Sequence, residues 1–139
     1  MVVKYCPREV AAAICCYNFY NTFTNKSDNY TYNYIDNYTY NSYIGFMDFE
    51  WSERKNHSNI EKHGISFYEA QYAFADPNRI ILEDAAHSLE EKRYFCIGKI
   101  SDGIVTVRFV CRERKIRIFG AGYWRKGKKL YEKENKILK

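Results

Sequence analysis

Long apolar runs are missing from this chain. No stretch approaches the roughly 18–20 residues that a membrane-spanning helix needs, so a helical membrane protein is excluded. Cysteine pairs at C-x-x-C spacing are also missing, which removes a zinc ribbon and a thioredoxin-type motif. The five cysteines are Cys6, Cys15, Cys16, Cys96 and Cys111. Cys96 and Cys111 lie in strand-like apolar runs and read as small core residues. The three histidines have no metal-ligand spacing, so no metal and no cofactor is expected. The apolar segment at 10–17 is too short for a secretory signal and has no small-residue cleavage site after it. A cytoplasmic protein with reduced thiols is expected.

What is present is unevenly spread over the 139 residues. Residues 1–46 hold nine of the fourteen tyrosines, and their charges cancel. Asparagine recurs there at 21, 25, 29, 33, 37 and 41, and NYTYNYID is nearly repeated as NYTYNSYI. Asn, Thr and Tyr are poor helix formers, and few apolar residues are present to offset the entropy of ordering. This segment is expected to be a disordered, low-complexity extension. The whole net charge of +5 then falls in residues 47–139, where nineteen Lys/Arg face fourteen Asp/Glu. Met47 marks the change of composition and the expected start of the folded domain.

The local signals from there on are conventional. Residues 48–51 (DFEW) read as a short strand. Ser52 is a candidate N-cap for a polar helix over 53–63, with Ile60 as an apolar anchor and Gly64 as the C-cap. Ser66 and Glu69 form a capping box that opens a second helix over 67–74, and Asp76-Pro77-Asn78 ends it. Strands are expected at 79–83, 92–100, 104–112 and 115–121, with turns at 101–103 and 113–114. The last strand alternates strictly, placing Ile116 and Ile118 on one face and Lys115, Arg117 and Phe119 on the other. Close hairpin spacing implies an antiparallel meander. A basic helix over 125–138 follows, with Leu130, Ile137 and Leu138 as its apolar points. Helices first and antiparallel strands after them make an α+β domain.

Residues 112–139 carry eleven Lys/Arg against three Asp/Glu. A basic concentration beside an open sheet face suits an anionic partner. The alternative is a solvated basic helix with no partner.

The ordered motifs carry a family likeness. FEWSERKN (49–56), Asn59, KHGISF (62–67), Ala70, Phe74, Asp76-Pro77, Glu91, Arg93, Ile97-Gly98, Arg112, RIF (117–119) and Tyr131-Glu132 together resemble the BrnT family of toxins from type II toxin–antitoxin pairs. The resemblance spans roughly residues 48–133 and omits the first 46. It implies a RelE-like fold and a metal-independent endoribonuclease that cuts single-stranded or ribosome-bound RNA and inhibits translation. It also implies a ribbon-helix-helix, BrnA-like antitoxin that silences the toxin. One position departs. Members often carry Ser-Ala-Arg after the last strand, and here Gly120-Ala121-Gly122 stands in its place. Either Arg125 reaches back to substitute, or the domain is a catalytically inactive module that binds RNA or antitoxin.

Metal-free RNA cleavage needs a base for the 2′-OH proton, cations for the phosphorane and an acid for the leaving oxygen. Glu91 is the candidate base and Arg93 a phosphate clamp, two residues apart and so on one face of a strand. Arg117 and His63 complete the candidate catalytic set. His63 also suits a helix C-terminus as a cation. Arg112, Arg125, Lys126 and Lys62 are candidate RNA-binding cations. Trp124 and Tyr131 are candidate stacking partners for bases, although Tyr131 also fits helix packing.

Overall fold

A computed structural model describes residues 48–113 and 115–137. The expectations placed on residues 1–47, on Arg114 in the second turn and on Leu138 lie outside the described residues. Among those described, no helix is long and apolar enough to cross a membrane.

The chain begins with strand β1 (Phe49–Glu50) and helix α1 (Glu53–His63). Ser52 adopts extended backbone and its hydroxyl accepts from the Lys55 N–H, as an N-cap should. Gly64 ends α1 at φ 69°, a left-handed conformation that glycine enters without steric cost. The capping box forms in full: Ser66 Oγ accepts from the Glu69 N–H at 3.1 Å, and the Glu69 carboxylate accepts from the Ser66 N–H at 3.0 Å. It opens α2 (Phe67–Ala70), which tightens into a 3-10 segment, Gln71–Ala75, where a regular helix through Phe74 was expected. The backbone of that segment lies directly on the sheet. A Cβ at Gly98 would collide with the carbonyl oxygen of Ala73, so glycine allows this close approach.

Strands β2 (Ile80–Glu83), β3 (Arg93–Ile100), β4 (Gly103–Arg112) and β5 (Lys115–Gly122) form the expected antiparallel meander. β1 adds a parallel edge against β5, giving the order β1-β5-β4-β3-β2. The fold is α+β with a mixed five-stranded sheet. α1, α2 and the 3-10 segment cover one face. Phe67, Phe74, Tyr94, Phe109, Ile116 and Ile118 form the core there, with Phe74 edge-on to Phe109 at 4.9 Å between ring centroids. Cys96 is buried within this core and Cys111 packs half-buried against it.

Helix α3 (Arg125–Glu134) covers one end of the other face. Its seat is set by Gly127 and Tyr131, one turn apart, rather than by Ile137, which is exposed. A Cβ at Gly127 would run into the Thr106 hydroxyl. Tyr131 is 2% exposed and packs with Ile80 and Ile97. Its hydroxyl donates to Asp76 Oδ2 at 2.7 Å, and the same carboxylate accepts from the Lys99 and Asn78 N–H groups. Burial, together with this bond to a carboxylate, raises the Tyr131 pKa well above the usual phenol range. The placement corrects the reading of Tyr131 as an RNA-stacking residue, because the ring is enclosed and its hydroxyl fastens α3 to the loop before β2. Tyr131→Phe is expected to cost about 1–3 kcal/mol, since it leaves a buried acceptor short of a donor. A lowered urea midpoint with an unchanged rate of RNA cleavage is the expected result.

Candidate functional site

Beyond α3, no described helix covers the second face of the sheet. Register places Arg93 opposite Val110, Val110 opposite Arg117, and Arg117 beside Glu50, so one row crosses four strands. In the next row Phe95 stands opposite Arg108, and Arg108 opposite Gly120. Between the rows β5 carries a bulge: Phe109 pairs with Ile118 while Arg108 pairs with Gly120, which leaves Phe119 without a cross-strand partner. A bulge redirects side chains. Here the Phe119 ring meets two guanidinium groups, with Arg108 Cζ 5.1 Å and Arg93 Cζ 5.5 Å from its centroid. Ala121 then returns to the core side.

Two ion pairs border this surface. Arg117 Nη1 donates to Glu50 Oε1 at 3.2 Å. Arg112 grips Glu91 through two hydrogen bonds, the Nη2 bond measuring 2.8 Å, in the bidentate geometry particular to arginine. Glu91 lies in the loop before β3 rather than on the strand, so its partner is Arg112 and not Arg93 as strand alternation predicted. Ser88 ties that loop at its base, donating to the Asp84 carbonyl and accepting from the Arg93 N–H. The Arg112 hydrogen bonds hold the Glu91 carboxyl below its ordinary value, and the charges of Arg112, Arg93 and Arg117 act in the same direction. The structure thus brings Glu91, Arg93, Arg112 and Arg117 to one end of the sheet.

Sequence reasoning missed Arg108. It sits in a strand that reads as apolar throughout, IVTVRFVC. Its stem lies over Gly120, where a Cβ would stand 3.3 Å from its Cδ. Its Nε is buried with no hydrogen-bond partner among the described residues.

His63 does not join the cluster. It ends α1, exposed, with its ring edge-on to Trp124 at 5.4 Å. Trp124 in turn lies over Gly122, where a Cβ would come within 2.9 Å of the indole. At about 3.3 Å per strand residue, Gly122 is about 16 Å along β5 from Arg117, so His63 and Trp124 mark the opposite end of the strand. The structure therefore does not bring His63 together with Glu91. The indole fills the space that a side chain at 122 would need. Lys62 is exposed in the last turn of α1, and Arg125 and Lys126 in the first turn of α3. That first turn holds no acidic residue and no side-chain cap, against the preference of the helix dipole. Trp51 packs on Phe67 and donates to Glu53. Among the described residues, no three His, Cys, Asp or Glu side chains come close enough to hold a metal ion.

A small α+β domain with arginines gathered about one carboxylate on one sheet face has the electrostatics that suit an anionic substrate. The family model for the ribonuclease toxin BrnT of type II toxin–antitoxin systems matches residues 51–127, more than half of the chain, and the chain belongs to that family. Membership implies an RNA substrate and an antitoxin partner. No match is found among curated proteins.

Proposed function

We propose that this toxin cuts RNA on the open sheet face without a metal ion, inhibits translation in the cytoplasm, and is silenced by a BrnA-like, ribbon-helix-helix antitoxin. The observation that carries the reading is the convergence of Glu91 with Arg93, Arg112 and Arg117 at one end of the five-stranded sheet. Glu91 takes the proton from a ribose 2′-OH. The 2′ oxygen attacks the adjacent phosphorus, the bond to the 5′ oxygen breaks, and that oxygen takes a proton from water at the exposed site. The products are a 2′,3′-cyclic phosphate and a 5′-OH. The arginines stabilise the charge on the phosphorane, and bidentate guanidinium groups match its oxygens.

The decisive experiment incubates the full chain with labelled single-stranded and ribosome-bound RNA in excess chelator. Cleavage that persists and leaves 2′,3′-cyclic ends supports this reading, and cleavage lost with the chelator overturns its metal independence. Gly122 under the Trp124 indole favours a second reading, a catalytically inactive RNA- or antitoxin-binding module. Intact RNA with salt-sensitive binding would establish it.

A pH dependence follows from the Glu91 pair. The base works only when ionised, so cleavage is lost as pH falls through its pKa. Because Arg112 holds that pKa down, the acid limb of kcat/KM is expected below pH 4.5, the ordinary carboxyl value. Arg112→Ala removes the largest lowering influence and is expected to move the limb upward toward that value. A limb in the same place in both proteins would mean that another group sets it.

A further inference from the structure

The four arginines of the open face fall into two kinds. Arg112 and Arg117 are neutralised by Glu91 and Glu50. Arg93 and Arg108 form no ion pair with any described residue, and both guanidinium groups make cation–π contacts with Phe119. A cation–π contact uses the charge of a guanidinium without supplying a hydrogen-bond acceptor for its N–H donors. The two charges lie no farther apart than the sum of their distances to one ring centroid, comparable to the Debye length of roughly 10 Å at 0.1 M salt. They therefore repel each other, and an anion would relieve that repulsion. Arg108 adds a buried Nε donor with no acceptor among the described residues, an arrangement that calls for an explanation in a folded protein. Its position is imposed by the fold: Gly120 makes room for the stem and the β5 bulge brings Phe119 beneath the head group.

We propose that Arg108, together with Arg93, is the resting site for backbone phosphates of the RNA, with Phe119 and Gly120 as its positioning residues. This rests on the ribonuclease reading above and names the group that meets the substrate first. Arg112 and Arg117 are occupied by carboxylates until the substrate competes for them.

The test uses the full chain and a single-stranded 2′-O-methyl RNA, which keeps the phosphates and lacks the attacking hydroxyl. Dissociation constants are measured across a range of salt concentrations. Arg108→Met keeps the stem over Gly120 and Phe119 and removes the charge. It is expected to fold with a near wild-type melting temperature, to weaken binding about tenfold, and to reduce the salt slope by about 0.7, the value for one phosphate on a single strand. Arg108→Lys keeps the charge and loses the guanidinium fork that grips a phosphate through two hydrogen bonds; the slope should stay while affinity falls severalfold. It carries the test if the Met variant does not fold. If the wild-type protein binds and cleaves RNA while both Arg108 variants match its affinity and slope, Arg108 is not a phosphate site and the ribonuclease reading stands. Wild-type protein that neither binds nor cleaves removes both.

Discussion

Replacing Glu91 by Gln is expected to slow RNA cleavage by about 10²–10⁴-fold, the usual contribution of a positioned general base, with RNA affinity equal to or above wild type. The substitution keeps the shape of the side chain and an oxygen that can accept from Arg112, so the loop before β3 should hold its place. What disappears is proton affinity and one negative charge beside the phosphate path, and losing that charge favours binding. The Arg112 pair presents a difficulty for the base, because a carboxylate with a lowered pKa is a poor proton acceptor. Substrate resolves it. A phosphate that draws Arg112 away removes the largest influence holding the Glu91 pKa down, so the base strengthens when its substrate arrives. Single-turnover rates and dissociation constants, measured on the same preparations, separate the two effects. A Gln variant within threefold of the wild-type rate would remove Glu91 from the chemistry.

Local chemistry was readable in the residues, and non-local placement was not. The capping box at Ser66 and Glu69 and the Gly64 stop are contained within four or five residues each, and both formed as predicted. The hairpins of β3 to β5 follow from short turns between apolar runs. The parallel pairing of Phe49 with Ile116 and Glu50 with Arg117 spans 67 residues and leaves no local trace. Arg108 was hidden because Ile104, Thr106 and Val110 make its strand look apolar on both sides; only the register with Gly120 and the bulge at Phe119 reveal a site. Likewise, Glu91 was expected to work beside its sequence neighbour Arg93, whereas the loop turns it toward a residue on the next strand. Leu130 packs half-buried against the Tyr131 cluster as expected, whereas Ile137 is exposed, since close approach at Gly127 decides which side of α3 is buried.

The expected apolar anchor of α1, Ile60, is 42% exposed, and the buried residue of that helix is Asn59. Its amide donates to the carbonyls of Ile65 and Ala121, both at 2.9 Å, and its oxygen accepts from the Ala121 N–H at 3.1 Å. One side chain thus fastens α1 to the entry of α2 and to the end of β5. Asn59→Ala would leave three backbone groups unpaired, at about 1–3 kcal/mol each where they stay dry. A loss of about 3 kcal/mol or more is expected, a large part of the usual 5–15 kcal/mol. Asn59→Asp should be worse at pH 7, because its carboxylate faces two carbonyl oxygens and has lost both donors. Repulsion and burial would raise its pKa above the unfolded value of about 3.9. The folded state then binds more protons than the unfolded one, so stability falls as pH rises between those two values. Protonation restores one donor, and urea midpoints of the Asp variant should climb toward those of the Ala variant as pH drops to about 4.5. An Asp variant as stable as wild type at pH 7 would show that this side chain does not hold α1 to the sheet.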